Sequence, residues 1–355
     1  MPEPVNPPLR FCYDAFMIIV LLGAAGFVGR AAAVELARRP EVGEILLVDY
    51  VVRDAKRMAK TLSPKCRYAM ADVGKATELT RLLEGVDAVA NAAGPCWEYE
   101  KATLLACASM KIPVASIGDN TLSREDRNEI HDAFRRAGTA AVSGCGMMPG
   151  WTDLLAAHFL VGGEPSPGLA RYLFFSPDLF GGYTFLRDFA KRVGPETSGP
   201  AGAPAGRYFA MPDGTIVGVP ERKAGPRVAG IANTLGRMGT IGKEFAAATM
   251  LWLRGTMSGP PGTPAAAAGV ADGRRTARVD DSAGRIASVL LSETAVRLAS
   301  RSLKEKGLVP IHEVIGREAA RAIAEDAGAV IMCEGHSSPS PVIDESKSVP
   351  RNRLP

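Results

Sequence analysis

Three glycines, Gly23, Gly26 and Gly29, stand in a GxxGxxG spacing directly after the apolar run Met17–Leu22. The first glycine of such a loop lets the chain turn sharply out of a strand. The second lets backbone approach a pyrophosphate, and the third lets a helix pack closely on a sheet. Ala24, Ala25, Phe27 and Val28 complete a turn that runs into a helix, whose N-terminal N–H groups and dipole favour phosphate. Asp49 lies twenty positions beyond Gly29, at the end of the next apolar run. A carboxylate there accepts hydrogen bonds from ribose hydroxyls and repels a 2′-phosphate. Loop and acid together predict a dinucleotide site.

Asp49 argues for NAD as the cofactor, while Arg53, Lys56 and Arg57 at the start of the next helix leave NADP open. Asp72 follows the third apolar run, where an acid either contacts the adenine or caps the next helix. Asn91-Ala92-Ala93-Gly94-Pro95 follows the fourth. Small residues and a rigid Gly-Pro turn there leave room for a nicotinamide ribose at the carboxyl edge of a sheet.

These residues need a scaffold of alternating strands and helices. Strands are expected at Met17–Leu22, Ile45–Val48, Cys66–Ala71, Ala88–Ala92, Val114–Ile117 and Ala140–Ser143. Helices fit between them at Phe27–Arg39, Arg53–Leu62, Ala76–Leu83, Glu98–Met110 and Ser123–Ala137. Alternation of this kind implies βαβ units and a parallel sheet buried on both faces. The fold class is therefore α/β, a Rossmann-like doubly wound sheet, over residues 16–150.

After Gly150 the pattern changes to a second, α+β domain over 151–305. Tyr172–Phe175 reads as a strand, and Arg207–Val219 as a hairpin around Pro212-Asp213-Gly214. Arg278–Asp281 and Arg285–Leu290 read as a second hairpin around Ser282-Ala283-Gly284, with a helix at Ser292–Lys304. The Gly/Pro-rich stretches 194–206 and 255–273 read as mobile loops. Residues 1–15 and 334–355, rich in Pro, Ser and charge, are expected to be a disordered arm and tail.

Composition excludes several classes. A chain of 355 residues suits two domains. The net charge of +4 is scattered, with no basic stripe interleaved with aromatics, so nucleic acid is not an expected partner. Six cysteines and four histidines form no CxxC pair or cluster, so no metal site is expected and the cysteines read as free thiols of a cytoplasmic protein. The apolar segment Phe16–Val28 is too short and too glycine-broken to span a membrane.

The run Gly23–Gly29, then Asn91–Pro95, then Gly144-Cys145-Gly146-Met147-Met148-Pro149-Gly150 resembles the saccharopine dehydrogenase (reductase-type) family, and Gly144–Asp153 looks most like its lysine 6-dehydrogenase members. The ending fits as well: a hairpin, a helix, the Gly307-Leu308-Val309-Pro310 turn and a last helix at Val314–Ala327. The resemblance implies a Rossmann domain, a substrate and dimerisation domain, and a return of residues 306–333 onto the first domain. It implies a homodimer and hydride transfer between nicotinamide C4 and a carbon bearing nitrogen in an amino-acid-like small molecule. Two positions depart from the family. The acid usual near Ala115 or Ser116 is missing, leaving Asp119 beyond Gly118, and the common Asp-Arg after the second strand is Asp49-Tyr50.

Hydride transfer to an imine asks for orientation, a proton donor and electrostatic support. Asp119, in a loop past a strand's carboxyl end, is a candidate catalytic anchor for an amine, with helix capping as its structural alternative. Tyr99 is a candidate proton donor. Trp151 and Asp153, at the start of a helix, are candidates for a substrate wall and a carboxylate-binding N-terminus, or else belong to an interdomain core. Tyr183 and Arg187 are candidate substrate contacts, Arg187 as a carboxylate clamp. His158 reads as structural.

Two other functions compete. One is reduction of a carbon–carbon or carbonyl bond, as in the family's trans-acting enoyl reductases, which a pocket lined by apolar groups would favour. The other is a non-catalytic dinucleotide sensor. An active short-chain dehydrogenase is disfavoured, because none of the seven tyrosines has a lysine four positions on.

Overall fold

The computed structural model describes residues 16–118, 121–160, 168–176, 182, 184–185, 189, 192–220, 263–272, 275–301 and 303–335. The expected arm, most of the expected tail, and Asp119, Tyr183 and Arg187 lie outside the described residues.

The first sheet forms where the apolar runs predict it. Its strands are β1 (Met17–Leu22), β2 (Val42–Asp49), β3 (Cys66–Met70), β4 (Ala88–Asn91), β5 (Val114–Ser116) and β6 (Ala140–Ser143). Between them run α1 (Phe27–Arg38), α2 (Val52–Thr61), α3 (Ala76–Leu82), α4 (Cys96–Ser109) and α5 (Arg124–Ala137). All pairings are parallel, and the order β3-β2-β1-β4-β5-β6 reverses direction between β1 and β4. Ile19–Leu22 are fully buried, as a strand covered on both faces requires. The helix α5 opens on a capping box, with Ser123 Oγ accepting from the Asp126 N–H at 3.1 Å, and closes on Gly138 in the left-handed region.

The second sheet follows α6 (Trp151–His158). It contains β7 (Ala170–Phe175), β8 (Glu196–Thr197), β9 (Gly206–Ala210), β10 (Ile216–Pro220), β11 (Ala266–Ala271) and β12 (Arg275–Asp281). The described residues end with α7 (Ile286–Ala299), β13 (Gly307–Leu308), α8 (Ile311–Val314), α9 (Arg317–Ala327) and β14 (Ala329–Gly335). The order is β14-β12-β11-β7-β10-β9-β8, antiparallel except for the pair β7–β10. The hairpin at Pro212-Asp213-Gly214 forms, with Ile216 opposite Ala210.

Four expectations for this half are corrected. Arg285–Leu290 is not a returning strand but the start of α7. Short apolar runs do not separate strand from buried helix, and here the Asp281 carboxylate accepts the Ala283 and Ile286 N–H groups at 3.1 and 2.8 Å and turns the chain into a helix. The stretch 255–273 is not all loop, because Ala266–Ala271 is a buried central strand. Its small residues face large ones: a Cβ on Gly269 would stand 2.3 Å from the Tyr172 ring. The last helix is two, α8 and α9, separated at Ile315 and Gly316.

The return to the first domain also starts before 306. The helix α7 already packs on α1 and on the first sheet, and β13 pairs with β6, whereas β14 goes back into the second sheet. Small residues make the α1–α7 seam close. Ser288 Oγ donates to the Val28 carbonyl at 3.1 Å, and the ion pairs Arg285–Glu35 and Arg39–Glu293 flank it.

Candidate functional site

A cleft of about 1040 Å³ runs along the carboxyl ends of the first sheet and under the second. Of the glycine loop, Gly23, Ala25, Gly26, Phe27 and Val28 line it, whereas Ala24 and Gly29 face inward. Ala24 is fully buried, and a Cβ on Gly29 would lie 2.0 Å from the Gly23 carbonyl oxygen. Gly29 is thus required for close approach, as the spacing predicts. Gly23, at φ +71, turns the chain out of β1 against the Ala92 and Ala93 backbone.

Asp49 lines the same end. Its Oδ2 accepts the Ala25 N–H at 2.7 Å and its Oδ1 the Val51 N–H at 2.8 Å. The carboxylate therefore ties the glycine loop to the β2–α2 turn, and each oxygen keeps acceptor capacity for a ribose hydroxyl. Next to it Asp54 collects the local cations: Arg30 at 2.7 Å, Arg53 at 3.6 Å and Arg57 at 3.8 Å. Desolvation alone would raise the Asp54 carboxyl, and the three guanidiniums, Arg30 foremost, outweigh it and hold the group below its ordinary value. Arg30 also donates through Nε to the Ala25 carbonyl at 2.6 Å, bracing the loop.

Asp72 lines this end too and makes a local turn, accepting the Gly74 N–H at 3.0 Å. It is not the cap of α3, whose N-cap is Lys75. Tyr99, a candidate proton donor, also lines the cleft. Its ring stands over Gly74, where a Cβ would meet Tyr99 Cε1 at 3.2 Å, on the side of the cleft next to β3. Burial, then the hydrogen bond the phenol donates to Glu98 and the charges of Glu98 and Asp72, push the Tyr99 phenol above its ordinary value.

On the other side of the β1–β4 switch point, Ala92, Ala93, Gly94, Pro95, Ile117 and Gly118 line the cleft. Asn91 does not: it is 1% exposed and turned inward. Its Oδ1 accepts the Ala93 N–H and its Nδ2 donates to Ser116 Oγ, both at 3.1 Å. It holds the Ala92–Pro95 turn rather than facing a ligand. Glu100, from α4, is likewise 1% exposed and accepts from Ser116 Oγ at 2.7 Å and Ser143 Oγ at 2.8 Å. Sequence reasoning missed Glu100, because a lone acid in a helix ordinarily marks its solvated face.

Side chains of another kind line the part of the cleft under the second sheet. Met147, Met148, Leu173, Phe185, Phe189, Met211 and Val217 line that part. Phe189 stacks edge-on with Phe175 and Phe209, their ring centroids 5.4 and 6.4 Å away. Its charged lining among the described residues is Arg192 and Asp213, which pair with each other at 3.3 Å.

Neither Trp151 nor Asp153 reaches the cleft. Trp151 is fully buried in the core, and Asp153 pairs with Arg171 of β7 at 3.5 Å. The Gly146–Met148 turn before the helix lines the cleft in their place. His158 is structural, as expected, with Nε2 2.9 Å from the Ile315 carbonyl. Cys107 and Cys145 are buried, and desolvation pushes each thiol up to about 12. Among the described residues no group of His, Cys, Asp and Glu is placed to hold a metal, and no helix is long and apolar enough to cross a membrane.

A parallel sheet of order 3-2-1-4-5-6 with a glycine loop at its switch point defines a dinucleotide-binding domain of Rossmann type. The family model of the saccharopine dehydrogenase NADP binding domain matches residues 19–142, so the first sheet and its helices are similar to that domain. The overall fold is similar to apo saccharopine dehydrogenase (L-Glu forming) from Saccharomyces cerevisiae, with TM-score 0.57 and 13% identity over 90% of this chain and 100% of that one. Uronate dehydrogenase from Agrobacterium tumefaciens (TM-score 0.30, 15% identity) covers 36% of this chain and 59% of its own. The RhlG/NADP complex from Pseudomonas aeruginosa (TM-score 0.29, 15% identity) covers 37% of this chain and 71% of its own. No curated protein matches the sequence at a significant level.

Proposed function

We propose that the protein is a nicotinamide-dependent oxidoreductase that passes a hydride between C4 of the cofactor and a carbon bearing nitrogen. The observation that carries this reading is one continuous cleft, lined at one end by the glycine loop and Asp49 and at the other by the second sheet. The cofactor's electronics supply the hydride chemistry, and the chain's part is to bind, orient and exclude water. Gly23, Ala25, Gly26, Phe27 and Val28 would hold the pyrophosphate, Asp49 the adenine ribose, Asp72 the adenine side, and Ala92, Gly94 and Pro95 the nicotinamide ribose. The choice of a C–N carbon rests on the likeness to saccharopine dehydrogenase in the first domain and the fold. A homodimer through the second domain rests on the same likeness, and sedimentation tests it.

NAD is the proposed cofactor, on the strength of Asp49. Against it stand the family's NADP-binding description and the Arg30–Arg53–Arg57 group around Asp54. Parallel titrations with NADH and NADPH decide between them.

A second reading has its own support. The substrate part of the cleft is walled by methionine, leucine, phenylalanine and valine, and its Arg192 is engaged by Asp213. Such a wall suits a compound with an apolar body, reduced at a carbon–carbon or carbonyl double bond. The test is a turnover screen with both cofactors over amino acids, polyamines, keto acids and α,β-unsaturated acyl compounds, following the reduced nicotinamide. Turnover of amines or imines alone bears out the first reading, and turnover of unsaturated compounds alone the second. Dinucleotide binding without any turnover favours a sensor.

A further inference from the structure

The carboxyl ends of β4, β5 and β6 are wired together from below by one buried acid. The Ala93 N–H donates to Asn91, Asn91 donates to Ser116, Ser116 donates to Glu100, and Ser143 donates to the same Oε1 of Glu100. Asn91 ends β4, Ser116 ends β5 and Ser143 ends β6. Every bond points toward the carboxylate, so each donor polarises the next. A carboxylate is costly to bury, and two hydroxyl donors on one oxygen offset part of that cost.

The network sits one residue beneath the cleft. Gly118 lines the cleft at φ +50, and a Cβ there would stand 2.6 Å from Ser143 Oγ and 3.1 Å from Glu100 Oε1. In a sheet of this order each half holds one nucleotide, so β1–β3 carry the adenosine half and β4–β6 the nicotinamide half. The wiring is confined to the second half. In the first half the corresponding ties are those of Asp49, on the other side of the switch point.

We infer that Glu100 is a positioning residue for the nicotinamide half of the cofactor, acting through Ser116, Asn91 and Ser143 on the turns at Ala93 and Gly118. The inference rests on the dinucleotide reading of the cleft. It needs no knowledge of the substrate.

The test is a pair of titrations on the full-length protein, with the tighter of NADH and NADPH and with the adenosine half alone, ADP or its 2′-phosphate. Glu100→Gln is expected to weaken the dinucleotide about tenfold, the size of one lost charge-assisted hydrogen bond, and to leave ADP within about twofold. Ser143→Ala, which removes one donor and keeps the acid, should show the same selectivity at smaller size, and it stands in if Glu100→Gln does not fold. Equal loss of both probes, or loss of neither, overturns the inference while leaving the dinucleotide reading intact. Failure of the wild-type protein to bind either dinucleotide overturns both.

Discussion

The two ends of the cleft are built from different material. At the cofactor end the glycine loop and the Ala92–Pro95 turn bring backbone to the cleft, held by short polar ties such as Asp49 to Ala25 and Val51. At the substrate end it is long apolar side chains, held by packing such as the ring contacts of Phe189. The pyrophosphate is the same in NAD and NADP, so backbone geometry suffices for it. A substrate is particular, and side chains must shape the space around it. The cofactor end should therefore fail through backbone crowding and the substrate end through lost volume.

The sharpest break in that comparison is at Gly29. A Cβ 2.0 Å from the Gly23 carbonyl must push the loop off the helix. Gly29→Ala is expected to cost about 1–3 kcal/mol of stability and to weaken dinucleotide binding on the order of a hundredfold. Thermal unfolding and titration read the two effects, and an unchanged affinity would break the backbone account of this end.

Phe189→Ala probes the other end. Phe189 is nearly fully buried among rings, so the variant should lose about 3 kcal/mol while keeping dinucleotide affinity within about twofold. An equal loss of affinity would mean that the two ends are not separable.

A smaller effect is expected at Asp49. Asp49→Asn keeps the shape of the side chain and removes the charge that opposes a 2′-phosphate. It should shift the NADPH-to-NADH affinity ratio about tenfold toward NADPH. No shift would move cofactor choice to the arginines around Asp54.

The smallest effect is expected at Tyr99. General acid catalysis contributes about 10²–10⁴-fold, so the size of the loss in Tyr99→Phe decides between a proton donor and an adenine-side wall. The position of its ring over Gly74 favours the wall, with turnover reduced less than about threefold. A hundredfold fall would restore it to the chemistry.

The same contrast explains what was legible beforehand. The strands, helices and glycine loop of the first domain could be read because backbone demands leave marks in sequence: glycines at fixed spacing, β-branched runs, an acid at a strand end. The second domain was less legible. Ala266–Ala271 looks like a loop because its strand needs small residues under Tyr172, and Arg285–Leu290 looks like a strand because the first turns of a helix buried on nearly every side show no polar face to set their period. Site residues divide along the same line. Gly23, Gly26 and Asp49 line the cleft from positions that spacing alone picks out, whereas for Trp151 the sequence left wall and core open, and it is core. Glu100 was hidden, because its role depends on Ser116 and Ser143, which lie 16 and 43 positions away in the chain.

The central claim is that this cleft holds a nicotinamide dinucleotide with its reduced ring toward the Pro95–Gly118 side. Trp97 is half-exposed at the start of α4, next to cleft-lining Pro95 and Cys96, and indole emission overlaps the absorption of reduced nicotinamide. Tryptophan fluorescence followed during titration with NADH and NADPH is the most direct test. Saturable energy transfer at one cofactor per chain is expected, moved to about hundredfold higher cofactor in Gly29→Ala and reduced in Trp97→Phe. Absence of saturable transfer from the folded wild-type protein with either cofactor would contradict it.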